Sequence, residues 1–176
     1  MLKRLKFSDK EKKELIGSMV ILVDTKEKKN QHIVDYLERN NIKCKSMSLK
    51  QGDYSFYIPK NEKLGIPRDL YFDKEIIIER KASLEELSTN LTKERDRFEK
   101  ELALAPENKC IIIENGSYDD LIHGNYDTQY QPKSYLASFQ AFWHRYGCPV
   151  FMLGNPKNSY VFIKFYFESY LKEQLR

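Results

Sequence analysis

Ile76-Ile77-Ile78 leaves no polar residue on either face of an extended chain, and Glu79-Arg80-Lys81 follows it without a break. A run of this kind reads as a strand carried through a core. It then delivers a carboxylate and an amine side by side, which few structural needs explain. Two other apolar runs also finish on an acid. Met19-Val20-Ile21-Leu22-Val23 leads to Asp24, and Cys110-Ile111-Ile112-Ile113 leads to Glu114. A fourth acid, Asp53, follows Gly52 and opens a further strand over 54–58.

Helical spacing fills the intervals between these runs. Residues 28–40 place Ile33, Tyr36 and Leu37 together. Ser83 serves as the N-cap of one long helix whose stripe is Leu84, Leu87, Leu91, Phe98, Leu102 and Ala105. Residues 134–146 put Leu136, Phe139, Trp143 and Tyr146 into a core, and 159–174 form a very aromatic terminal helix. A helix over 8–16, a weaker strand over 43–49, a strand over 71–79 and a last strand over 150–153 complete the pattern. Residues 59–69 are a loop joining a hairpin, and a polar, tyrosine-rich loop containing His123 runs to Pro132. Helices alternating with short apolar strands predict an α/β fold, a central mixed β-sheet flanked by helices.

With 176 residues, 41% of them hydrophobic, the reading is a single domain, residues 1–176, with a short polar N-terminal segment over 1–18. The formal net charge of +4 tolerates a polyanionic partner without indicating one. Cys44, Cys110 and Cys148 form no C-x-x-C pair and read as buried free thiols. No signal peptide or membrane-length apolar run is present, so a cytoplasmic location is expected.

Strand ends are where α/β folds collect chemistry, because loops there vary without disturbing the core. The spacing of Asp53 and Glu79 suits adjacent strands of one hairpin, so their carboxylates can converge on one cation. Mg²⁺ accepts such a site, with one or two carboxylates completed by waters and substrate phosphate. Lys81 shares the strand face of Glu79, and Arg80 faces the other way, free to pair with Asp24 or Glu27 or to grip a phosphate. Lys93, Arg97 and Lys100 share a helix face and are candidate DNA-backbone contacts, although a solvated face paired with nearby glutamates reads equally well for the two lysines. Arg95 is expected to turn inward towards an acid. Tyr126 and Tyr130 are candidates for stacking on unpaired bases.

The pattern Val23-Asp24-Thr25-Lys26-Glu27, then Gly52-Asp53, then Glu79-Arg80-Lys81 with an acid at Glu85 resembles the XPF-type structure-specific nuclease domain of the PD-(D/E)xK superfamily. The resemblance spans about 20–153 and implies a restriction-endonuclease-like core. It implies metal ligation (Mg²⁺ or Mn²⁺) by Asp53, Glu79 and the Arg80 carbonyl, with Lys81 catalytic and Asp24 and Glu27 at the rim. It also implies a DNA endonuclease of repair or recombination, with branched or junction DNA as the expected substrate and a homodimer or heterodimer formed through this domain. A non-cleaving DNA-binding scaffold and an end-acting exonuclease stay open as alternatives. Lys26 and Glu85 stand where the family usually has arginine and aspartate, and Lys26 loses arginine's bidentate fork. The family's repair members add a tandem helix-hairpin-helix domain that is not expected here, which suggests a minimal nuclease of prokaryotic or phage origin.

Overall fold

The computed structural model describes residues 6–176, so the first five residues of the expected N-terminal segment lie outside the described residues. Helix α1 (Asp9–Ser18) is opened by a capping box in which Ser8 and Glu11 satisfy each other's backbone N–H groups. The strands are β1 (Val20–Asp24), β2 (Cys44–Met47), β3 (Tyr54–Ile58), β4 (Leu70–Tyr71), β5 (Ile76–Ser83), β6 (Asn108–Asn115) and β7 (Val150–Met152). The remaining helices are α2 (Gln31–Arg39), α3 (Leu84–Leu91), α4 (Arg95–Leu104), α5 (Tyr118–His123), α6 (Pro132–Tyr146) and α7 (Ser159–Gln174).

The strands make one mixed sheet in the order β2-β1-β3-β5-β6-β7, with β4 appended to β3. β1 and β3 pair antiparallel, as do β3 and β5, whereas β5, β6 and β7 run parallel. The α/β expectation holds. Alternation along each strand divides the core in two. Ile76, Ile78, Cys110 and Ile112 face Leu15, Ile33, Leu37, Ile163, Phe167 and Leu171 of α1, α2 and α7. Ile111 and Ile113 face Leu84, Leu87, Phe98, Leu121, Phe139 and Phe142 of α3 to α6. Each such apolar side chain, fully buried, stabilises the fold by roughly 1.5–3 kcal/mol.

Several expectations need correction. β5 begins at Ile76, because Leu70 and Tyr71 pair separately with β3 and a turn at 73–75 intervenes. β5 also continues past Glu79 to Ser83, held by pairing of Glu79, Arg80 and Lys81 with Ile111, Ile112 and Ile113. The charged triplet thus lies inside a central strand, not at its end.

The long helix after β5 is two helices, broken at residues 92–94. The hydroxyl of Thr92 bonds the Ser88 carbonyl at 2.7 Å and the Asn90 amide bonds Glu94 at 2.8 Å, local bonds that compete with the helical ladder. The apolar stripe crosses the break undisturbed, which is why periodicity alone misses it. Ser83 occupies the N-cap position but makes no capping bond, while the Glu86 carboxylate accepts the Ala82 N–H at 2.9 Å.

Trp143 is 57% exposed, not core, because Tyr135, Phe139 and Phe142 already fill the buried face of α6. His123 closes the short helix α5 rather than sitting in a loop, and α5 is opened by a Ser117–Asp120 capping box. The three cysteines are free, with Cys110 and Cys148 buried and Cys44 partly so. Among the described residues no helix is long and apolar enough to cross a membrane.

Candidate active site

Three central strands bring the acids together. Asp53 sits just before β3, clamped between neighbours: its N–H donates to the Ile78 carbonyl and its carbonyl accepts the Asp24 N–H, both at 2.8 Å. Gly52 makes that approach possible. It adopts φ +72°, and a Cβ there would meet Ile77 carbon atoms at 2.9 Å. Gly52→Ala is therefore expected to destabilise the protein by about 2–4 kcal/mol, from left-handed strain plus overpacking, readable in urea titration.

The Asp53 carboxylate accepts the Arg80 backbone N–H at 2.7 Å through Oδ2. Lys81 Nζ donates to Glu79 Oε1 at 2.8 Å and lies 5.2 Å from the centre of the Phe98 ring. Burial, and then the Glu79 charge, push Asp53 well above the usual carboxylate range, against the opposing Arg80 N–H bond. Burial works against the Lys81 ammonium, but Glu79 outweighs it and holds the group above its ordinary value. Asp53 and Glu79 both line a pocket of about 190 Å³ beneath α4, together with Phe98 and Leu102.

On the opposite sheet face Arg80 is 5% exposed and enters a charged network. Its guanidinium donates to Glu27 at 3.3 Å and to Glu114 at 2.5 Å. Glu114 also accepts the Ser159 hydroxyl at 2.6 Å and is bonded to His32 Nε2 at 2.7 Å. Burial alone would raise Glu114, yet these hydrogen bonds, Arg80's first, hold it below its ordinary value. The expected pairing of Arg80 with Glu27 is present. Asp24 is not its partner, because both Asp24 oxygens are taken by backbone N–H groups, of Leu49 at 2.8 Å and Lys26 at 3.3 Å. Asp24 lines the pocket as a clamp on the loop after β1.

Among the described residues no three His, Cys, Asp or Glu side chains are grouped to hold a metal ion. The two-carboxylate pair still fits a hard divalent cation. Asp53 Oδ1 and Glu79 Oε2 have no hydrogen-bond partner among the described residues, one oxygen on each of two mutually repelling carboxylates.

Residues 23–166 match the family model described as the ERCC4 domain. The chain belongs to that family. Among solved structures, XPF from Aeropyrum pernix is similar at 19% identity and TM-score 0.62, the match covering 86% of this chain and 61% of that one. XPF from Aeropyrum pernix in complex with DNA matches at 21% identity and TM-score 0.64, covering 88% and 66%. The chain thus spans less than two thirds of either. No curated protein matches it.

In this ERCC4 domain Asp53, Glu79 and Lys81 converge on one sheet face, and Glu27 and Arg80 meet on the other. The candidate DNA contacts do not form one row. Lys93 falls in the turn between α3 and α4, so it shares no helix face with Arg97 and Lys100. Arg97 pairs with Glu94 at 2.8 Å and with the pocket-lining Glu101 at 3.5 Å, whereas Lys100 lines a separate depression beside Tyr146. Arg95 does pair with an acid, Glu99 at 2.7 Å one turn along α4, but its side chain is 37% exposed and so does not turn inward. Tyr126 is half-buried, its hydroxyl bonded to the Tyr130 carbonyl at 2.7 Å and its ring edge-on to Tyr135, which leaves it poorly placed to stack on a base. Glu85 accepts the Asp127 N–H at 3.0 Å and so ties the loop after α5 to α3.

Two members of the Arg80 network, His32 and Ser159, carry no signal in the sequence. They lie 82 and 45 positions from Glu114, and only tertiary packing joins them.

Proposed function

We propose that this ERCC4 domain is a divalent-metal-dependent DNA endonuclease that hydrolyses phosphodiester bonds and prefers branched or junction DNA. The observation that carries the reading is the half-buried Asp53–Glu79 pair with Lys81 bonded to Glu79. Asp53, Glu79 and the Arg80 carbonyl would hold Mg²⁺ or Mn²⁺. Once bound, the ion supplies Lewis-acid polarisation of the phosphodiester and an acidified water.

The chain's own residues do the rest. The Arg80 N–H fixes the Asp53 carboxylate, and the Glu27–Arg80–Glu114 contacts hold that stretch of β5 in place. Lys81, kept charged by Glu79, can donate to a phosphate oxygen as negative charge builds there. Lys81→Met is accordingly expected to lower kcat about 10²–10³-fold while DNA affinity changes only a few-fold, measured by single-turnover cleavage and anisotropy.

The deciding experiment incubates wild type and Asp53→Ala with flap, fork and linear DNA, with and without Mg²⁺. Mg²⁺-dependent cutting of flap or fork, lost in Asp53→Ala, is the expected result. Cutting retained by Asp53→Ala would overturn the site. A metal-loaded wild type that binds DNA but cuts none of the three substrates would replace the reading with a non-cleaving scaffold, and cutting confined to linear ends would make it an exonuclease.

A further inference from the structure

The pocket lined by Asp53 and Glu79 also has a buried lysine in its wall. Lys109 lies beside Ile77 across the β5–β6 pairing, hence on the same sheet face as Glu79, and is only 7% exposed. Its ammonium donates to the Pro106 carbonyl at 2.8 Å. No carboxylate pairs with it among the described residues, and each of the pocket's acids has another partner at one of its oxygens. Glu79 holds Lys81, Asp53 takes the Arg80 N–H, Asp24 takes the Leu49 N–H, and Glu101 pairs with Arg97.

An ammonium with one neutral acceptor and no ion-pair partner keeps two unused donors for an incoming group. An anion entering the pocket would accept from both. Lys26 and Lys50 line the same pocket from the loops after β1 and β2, and neither forms an ion pair among the described residues. Three lysines thus surround one cavity whose wall carries the candidate metal pair.

We propose that Lys109, with Lys50 at the rim, forms an anion subsite that takes a DNA phosphate next to the one to be cleaved. This rests on the nuclease reading above and adds to it a contact that positions the backbone rather than reacting with it. The competing role for Lys109 is purely local, pinning the Pro106 turn between α4 and β6.

Salt dependence separates the two. Binding of a short fork duplex is measured by fluorescence anisotropy in EDTA across a KCl series, for wild type, Lys109→Met and Lys109→Arg. Lys109→Met keeps the aliphatic stem and removes only the charge. The slope of log Kd against log salt is expected to fall by about 0.9, one phosphate contact, and to return in Lys109→Arg. In Mg²⁺ the Met variant should show KM raised about 5–10-fold with kcat within about twofold. Lys109→Gln carries the same test should Lys109→Met fail to melt cooperatively. An unchanged slope and KM would reduce Lys109 to a local pin and overturn the subsite, leaving the nuclease reading to the Asp53→Ala cleavage result. A wild type that neither binds DNA in a salt-dependent way nor cuts it would overturn both.

Discussion

Asp53→Asn is expected to reduce DNA cleavage by on the order of 10³-fold or more and, in the same protein, to raise stability without metal. The two effects share one cause. Asp53 is half-buried beside Glu79, and desolvation followed by that neighbouring charge lifts its carboxyl well above the usual range. Asparagine can still accept the Arg80 N–H through its carbonyl oxygen while removing a charge that the fold accommodates only at a cost. A gain of about 1–3 kcal/mol in EDTA is expected by chemical denaturation.

The sign with pH follows from the same shift. A raised native value means the folded state keeps a proton that the unfolded chain has released, so the Asp53 contribution is complete below about pH 4 and is lost as pH rises through the raised value. Asp53→Asn should flatten that decline. Added Mg²⁺ should stabilise wild type by about 2.7 kcal/mol at a hundred times its Kd and leave Asp53→Asn nearly unmoved. A variant less stable than wild type in EDTA at neutral pH would mean that the pair is already compensated without metal, contrary to the site described.

Glu114→Ala is expected to cost about 3–5 kcal/mol, the largest loss of stability among the substitutions considered. Glu114 is 1% exposed and accepts from Arg80, Ser159 and His32, so it joins β6 to β5, α7 and α2 at a single carboxylate. Removing it strands the buried Arg80 guanidinium with Glu27 alone. For a chain of this size the melting temperature should fall by roughly 6–20 °C.

The pH sign is opposite to that of Asp53. A native value held below the ordinary one contributes stability that is present above about pH 4.3 and lost as pH falls through the native value. His32→Ala, removing a partner one-third exposed, should cost no more than about 1 kcal/mol. The double variant Arg80→Met/Glu114→Met should be less destabilised than either single change, because it leaves no unpaired buried charge. Equal or additive losses would show that packing, not the ion pair, carries the effect.

Much of the fold was legible because burial leaves a local trace. Two-sided apolar runs marked β1, β5 and β6, the Tyr54–Ile58 strand matched to the residue, and so did the terminal helix Ser159–Gln174. The errors fell where local signals agree with more than one outcome. A continuous stripe from Leu84 to Ala105 does not reveal that side chains near Thr92 break the ladder. Trp143 has the right spacing for a core, but three neighbouring aromatics fill it first.

The residues of the candidate pair were legible for a different reason. Gly52, Asp53, Glu79 and Lys81 form short motifs whose alternation along a strand assigns faces without any knowledge of the fold. Those local rules sent Lys81 to the side of Glu79 and Arg80 away from it. What Arg80 meets there depends on which distant segments cover that face. Only the tertiary structure joined Glu114, His32 and Ser159 around it, kept Asp24 as a loop clamp, and set the Lys109 ammonium in the same cavity as the carboxylate pair, because each of these contacts is made between elements remote in the chain.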